Sequence, residues 1–412
     1  MALSRARLPA TKWTILILSA LTAAFAVAVP SMGLSVLFKE ISTDLQLNLV
    51  QVGLVWSIGS LPAIATALLS GVLIDRIGPK QVMIFGVAMA AVTAALRGLA
   101  SDFSGLLIII LLGGAISPLV TMSAYKMNGV WFPAQQLGLA NGVFSMGMAL
   151  GFMLGSFFSA TLLSPWLGGW RHVMFFFGGL AGVCCLPWLL TPPAPPSNRP
   201  GALPLPTVSM RHAFSHLLKL KGLWLVGLAM LGYSGSIQGL LGYLPLHLRG
   251  VGWPSVSADS AQTLFHAMSL VFVIPLSYLS DRLRVRKNIL LVTLAAALLG
   301  IGLLFFSTGW PVWLAVVLIG AGRDATMGLL FTMGIQTKGV GAAYAGSATG
   351  TVSFFSYIGS MIASPVGNSL AAQGASTPFA FWAGLVTLSI TSLLLIQPTP
   401  EKDGVSSETN PV

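Results

Sequence analysis

The stretch "GVLIDRIGPKQV", residues 71–82, has a counterpart in "SYLSDRLRVRKN", residues 277–288. Each sets an Asp-Arg pair at the end of an apolar run and follows it with further basic residues. Asp75 and Asp281 stand 206 residues apart, as do Arg76 and Arg282. A motif that returns after half of a 412-residue chain points to one unit used twice. The apolar runs around both copies show what that unit is made of.

The chain is 55% apolar and only 8% charged, against roughly a quarter charged in an ordinary soluble domain. Runs of about 20 apolar residues, the length that crosses a hydrocarbon core of about 30 Å, recur along nearly its whole length. Twelve spans are expected, near 13–38, 49–73, 81–100, 104–127, 138–163, 171–191, 222–246, 260–280, 288–307, 310–334, 343–367 and 377–397. The first is too long for a cleavable leader and lacks a small-residue cleavage site, so it is expected to stay as a helix. The chain is therefore expected to be an all-α integral membrane protein. A six-helix bundle over 1–191 is followed by a proline-rich and basic linker over 192–221, a second six-helix bundle over 222–397, and a disordered polar tail over 398–412. The linker ends with Phe214, Leu217, Leu218 and Leu220 at helical spacing, as a surface-lying helix or as a lead-in to the seventh span.

The net charge of +11 could suggest nucleic acid, but its placement assigns it elsewhere. With twelve spans, sixteen of the 21 Lys and Arg residues fall on the face that carries both termini. Lys39, Arg97, Arg171 and Arg249 fall on the opposite face, and Arg323 falls inside the membrane. By the positive-inside rule, both termini are cytoplasmic in a multi-pass inner-membrane protein. The basic charge reports topology, so no nucleic-acid partner is expected. Cys184 and Cys185 are adjacent within one span and read as small packing residues, with neither a disulfide framework nor a metal site between them.

The motif at Gly71, Asp75, Arg76, Gly78 and Lys80 resembles the signature of the major facilitator superfamily. Twelve spans, a long central loop and a degenerate second copy at Asp281 and Arg282 fit the same family over roughly residues 10 to 400. The motif departs from the family at Pro79, where arginine is usual, and at Ser277 and Arg284, where glycines are expected. Gly78 suits a tight turn and Gly71 a close helix approach, while Asp75 is an anion able to meet the positive end of a helix dipole or an arginine. The resemblance implies that Asp75 meets the start of the eleventh span and latches the two halves, and that Asp281 does the same toward the fifth. It also implies that spans one, four, seven and ten line a central cavity. The fifth span carries Gly138, Gly142, Gly147, Gly151 and Gly155, and the eleventh Gly341, Gly346, Gly350 and Gly359. Such spacing suits helices that slide, and equally helices that pack tightly and stay.

In the tenth span, "VLIGAGRDATMGLLF", residues 317–331, Arg323 and Asp324 sit side by side in an apolar run. Each charge costs about 2.5–3.5 kcal/mol at the membrane centre on insertion scales, so both need a partner, a wet cavity or a ligand. Adjacent helix positions point about 100° apart, which is expected to keep the two side chains from facing squarely. Arg323 is expected to hold an anionic substrate through its planar fork. Asp324 would balance that charge in the empty site or take up a coupling proton. A buried structural ion pair with neighbouring helices is the alternative. Gln238, Tyr357 and Tyr125 are polar enough to join the site, and Lys126 lies beside Tyr125. His266 is expected to be a solvated or satisfied side chain near the outer surface.

The expected function is a secondary transporter of a small solute, an organic anion such as a carboxylate, by alternating access with proton or gradient coupling. It is expected to act as a monomer in the lipid bilayer, without cofactor or metal. An exporter of amphiphilic compounds is the alternative, favoured by Met146, Met148, Met153, Met327 and Met333 and disfavoured because Gly151 is followed by phenylalanine, not the proline of drug antiporters. A membrane sensor or a membrane enzyme is more distant, since among ten acidic residues there is no catalytic carboxylate pair or histidine-glutamate cluster.

Overall fold

The computed structural model of the protein describes residues 12–191, 215–283 and 285–396. Most of the expected linker and the whole of the expected tail lie outside the described residues. Among the described residues twelve long helices carry the fold: α1 (Lys12–Val36), α2 in two pieces (Leu49–Ser57 and Ser60–Ile77), α3 (Pro79–Leu96), α4 (Phe103–Trp131), α5 (Ala134–Phe158) and α6 (Trp170–Leu190). They continue with α7 (Lys221–Gly250), α8 (Ser255–Leu283), α9 (Arg286–Phe306), α10 (Pro311–Ile335), α11 (Gly341–Leu370) and α12 (Thr377–Leu395). All but α11 contain a stretch long and apolar enough to cross a membrane. Helix α11 has 30 residues, ample for length, but its glycines, serines and threonines make it more polar.

Local chemistry sets the ends. Asn48 and Gln51 form a reciprocal capping box at the start of α2, and the Asp102 carboxylate accepts the Gly105 N–H at the start of α4. Gly78, with φ of +93°, makes the turn from α2 into α3, as expected of it, and Pro79 opens α3, where its missing N–H costs nothing. In α1 a wide π-helical segment, Ala23–Ala28, precedes Pro30, whose ring removes one rung of the hydrogen-bond ladder.

The duplicated motif is matched by duplicated packing. In the first half α1 packs on α5, α2 on α4, and α3 on α4 and α6; six helices later α7 packs on α11, α8 on α10, and α9 on α10 and α12. The halves meet along two seams that are themselves counterparts, α2 with α11 and α5 with α8. Gly147, Gly151 and Gly155 seat α5 on α1: a Cβ at Gly151 would lie 2.5 Å from the Ala24 carbonyl oxygen. These glycines serve packing inside a half, whereas Gly138, Gly142, Gly346 and Gly350 have no neighbour within 4 Å of a Cβ.

The two ends of the molecule differ. At the end opposite the termini, side chains tie one half to the other. Arg249 donates to the Val36 carbonyl and to Asp259, and the Thr161 hydroxyl donates to Asp259 Oδ2 at 2.7 Å. The Gln262 amide donates to Ser35 Oγ at 2.9 Å, Ser156 and Thr263 hydroxyls meet at 3.0 Å, and Asn368 donates to the Leu49 carbonyl at 2.9 Å. A Cβ at Gly53 would lie 2.8 Å from the Ser364 backbone, so the α2–α11 seam is tight there. At the terminus-bearing end the side-chain bonds between described residues stay within a half, as in Lys12 to Gln136 and Lys126 to Asp75.

Two residues assigned by sequence to loops prove to be inside. Helix α8 begins at Ser255, not near 260, which brings Asp259 into the α5–α8 seam, fully buried. Arg249, placed on the outer face by its position at the end of a span, turns inward to pair with it.

Candidate functional site

Helix α10 is seated deeply because two of its glycines face close neighbours. A Cβ at Gly320 would lie 2.4 Å from the Phe265 carbonyl oxygen of α8, and one at Gly322 would lie 2.9 Å from Thr293 of α9. That approach brings Ser269 of α8 against Asp324. The Ser269 hydroxyl donates to Asp324 Oδ2 at 2.6 Å, and the Asp324 N–H donates to Ser269 Oγ at 3.2 Å. The Tyr233 hydroxyl of α7 donates to the Arg323 carbonyl at 3.4 Å.

Arg323 and Asp324 pair directly, Nη1 to Oδ1 at 2.7 Å. This corrects the expectation that neighbouring helix positions cannot face each other: Cβ directions do diverge by 100°, but the long arginine side chain folds back along the helix and closes the gap. Asp324 pairs with the arginine and also accepts from Ser269 across a helix interface. The pair is not sealed, with 15% of the Arg323 side chain and 31% of the Asp324 side chain exposed.

The guanidinium keeps donors to spare. Its Nε is buried and has no hydrogen-bond partner among the described residues, and no described residue bonds Nη2. Nε and Nη2 form the side-on edge that grips a carboxylate with two parallel hydrogen bonds. The guanidinium carbon lies 5.3 Å from the ring centroid of Phe152, which comes from α5 in the other half. The same ring lies 5.3 Å from that of His266. His266 is neither solvated nor satisfied, against expectation: it is 1% exposed, with Nε2 unpartnered, because α8 turns this residue toward α5 and not toward the surface. Phe152 gave no sequence signal beyond being one aromatic among 22 phenylalanines.

The other expected residues divide. Tyr125 of α4 is exposed and packs its ring 5.1 Å from Phe144. Gln238 sits in the closed seam: Trp56 Nε1 donates to its carbonyl at 2.7 Å, and its amide donates to the Trp56 carbonyl at 3.4 Å. Tyr357 is part-buried in α11.

In the repeated motif, Asp75 pairs with Lys126 of α4 at 2.9 Å, and both side chains are more than half exposed. Arg76 and Arg282 are exposed, Lys80 donates to the Thr191 carbonyl, and a Cβ at Gly71 would meet nothing within 4 Å. The side chain of Asp281 lies outside the described residues.

Family comparison agrees with this architecture. The Major Facilitator Superfamily profile matches residues 16–363, and the chain belongs to that superfamily. It is similar to the "Probable galactarate/D-glucarate transporter GudP" of Escherichia coli (strain K12), 30% identical over 169 residues, which are 38% of this chain and 36% of that protein. The chain thus aligns with about a third of the length of that relative. It is also similar to the "3-(3-hydroxy-phenyl)propionate transporter" of Escherichia coli (strain K12), 27% identical over 368 residues, 84% of this chain and 86% of that protein. Among solved structures, a bacterial homolog to the human lysosomal transporter Spinster, inward-facing and unoccupied, superposes with a TM-score of 0.71 at 17% identity, covering 93% of this chain and 94% of that one. At that identity the likeness is one of fold.

Proposed function

We propose that this protein is a secondary transporter that carries a small organic anion across a bacterial inner membrane by alternating access. The observation that carries the reading is the free side-on edge of Arg323, presented beside Phe152 where the two halves meet. A carboxylate bound there would gain two charge-assisted hydrogen bonds while its apolar remainder lies against the phenylalanine. Asp324 holds the arginine's charge in the empty site, and a proton on Asp324 when the anion enters would keep the site neutral. The relatives that are named for acids, galactarate and D-glucarate in one case and hydroxyphenylpropionate in the other, support an organic anion over a cation or a neutral solute.

The excess of Lys and Arg on the terminus-bearing side supports a cytoplasmic position for that side. Among the described residues the halves are tied at the far end and not at this one, which supports a conformation open toward the terminus-bearing side. In the opposite state Asp75 and its motif would latch α2 to the start of α11. The protein works as a monomer, since each half supplies one wall of the site.

A ligand-stabilisation screen on the purified protein tests this. Carboxylates are expected to raise the melting temperature of the wild type, by about 2.7 kcal/mol of stability at a hundredfold excess over Kd, and to raise that of Arg323→Gln clearly less. Stabilisation of both proteins by cations or neutral compounds alone would refute the anion reading and favour an exporter of amphiphilic compounds.

A further inference from the structure

A second arginine has a part-buried head in the first half, away from Arg323. Arg97 follows the last residue of α3, at the end opposite the termini, where an arginine commonly extends its head to the membrane surface. Here the head turns inward. Nη1 points to the Pro30 carbonyl of α1 at a long 3.4 Å, and a Cβ at Gly113 of α4 would lie 3.2 Å from Nη2. Nε is buried without a partner, and among the described residues no carboxylate pairs with this guanidinium. Arg323 has Asp324 and Arg249 has Asp259, whereas Arg97 has only one stretched bond to a carbonyl.

The head lines a cavity of about 170 Å³ between α1, α2, α3 and α4, and the hydroxyl residues Ser31, Thr93 and Ser117 line it too. No acidic residue lines it. A dry engineered cavity of about 150 Å³ holds benzene, so this one has room for an anion of a few heavy atoms. Withdrawing a cation from water is costly, and no carboxylate among the described residues offsets that cost for the part-buried Arg97 head.

We infer that the Arg97 cavity is an anion site in its own right, taking a small planar oxyanion, a short carboxylate or an inorganic anion of similar shape, on the Nε–Nη2 edge of the guanidinium. The inference is independent of the role given to Arg323. It assigns a function to a residue that its position in the sequence places among ordinary loop charges.

Melting curves of the full-length protein in detergent, titrated with sodium acetate and with sodium nitrate, separate the possibilities. A specific site gives a rise in melting temperature that saturates, whereas a general salt effect grows without saturating. A saturable rise is expected in the wild type and in Arg323→Met. When Arg97→Met is added to Arg323→Met, the half-saturating concentration should increase at least tenfold, and Arg97→Met alone, freed of its unpaired cation, should melt no lower than the wild type in anion-poor buffer. Gly113→Val, which keeps the charge but pushes a side chain against Nη2, should weaken the response similarly. If Arg323→Met shows no saturable rise, or if the rise survives in the Arg323→Met, Arg97→Met double variant, the site does not exist. A rise lost in Arg323→Met and kept in Arg97→Met would overturn this inference while upholding the anion reading of Arg323.

Discussion

The two ends of this molecule are built from the same kinds of helix and differ in what crosses between the halves. At the end opposite the termini, Arg249, Asp259, Thr161, Gln262, Ser35 and Asn368 form polar ties across the α5–α8 and α2–α11 seams. At the terminus-bearing end the counterparts are glycines with open space around them, Gly138 and Gly142 on α5, Gly346 and Gly350 on α11, and an exposed Asp75–Lys126 pair within one half. The difference teaches where the force for a conformational change must act. To open the far end, buried polar ties must break; to close the near end, small residues need only come together.

The largest effect is expected at Asp259. It is fully buried and its partner Arg249 is 7% exposed, so Asp259→Ala leaves an uncompensated cation in the seam. Losing one member of a buried pair costs about 3–5 kcal/mol. Thermal or denaturant unfolding should register that loss, and Arg249→Met combined with Asp259→Leu should restore much of it. An unchanged melting temperature in Asp259→Ala would mean that the pair ties nothing.

A smaller effect is expected when the closed seam is wedged. Gly53→Leu puts a side chain into the Ser364 backbone, and overpacking of this kind costs about 1–3 kcal/mol. The halves should part at that end, so a cysteine placed at Gln262 should react faster with a small water-soluble maleimide than in the wild type. The smallest effect belongs to the exposed pair: Lys126→Ala or Asp75→Asn should change stability by no more than about 1 kcal/mol. If Asp75 latches the opposite conformation, Asp75→Asn should still slow substrate exchange in proteoliposomes. A variant with unaltered exchange would leave Asp75 as an ordinary surface charge.

The sequence carried the fold because spans of about 20 apolar residues and a motif repeated at half the chain leave few arrangements open. It also singled out Arg323 and Asp324, since two charges in an apolar run are conspicuous whatever surrounds them. It was weaker wherever function depends on which way a side chain turns. Arg97 and Arg249 stand at helix ends, where an arginine reaches outward or inward with equal ease, and only the packing of α1 with α4, or of α7 with α8, decides. Asp259 was lost because the polar start of α8, "SVSADSAQT", resembles a loop in composition while folding as helix. His266 was misjudged for the same reason: depth along a helix does not reveal which neighbour the residue faces. Phe152 could not be picked out, because its importance comes from the guanidinium of another half lying over it.

The comparison between the ends also separates the arginines. Arg249 is neutralised within a tie, Arg323 is neutralised by its neighbour yet keeps a free edge, and Arg97 has no carboxylate partner among the described residues. Each keeps a buried Nε without a partner among the described residues, but both terminal nitrogens of Arg249 are taken, so only the last two keep the Nε–Nη2 edge for a solute.

The most direct test is a pair of distances measured by spin labels, one pair across each end, in a Cys184→Ala, Cys185→Ala background. Labels at Thr43 and Val251 report the closed end, and labels at Ile77 and Ile335 report the open end. Alternating access predicts reciprocal change: Asp259→Asn should lengthen the first distance and shorten the second in the same population of molecules. If the first distance lengthens while the second stays fixed, the two ends move independently, and the account of this protein as an alternating-access carrier is wrong.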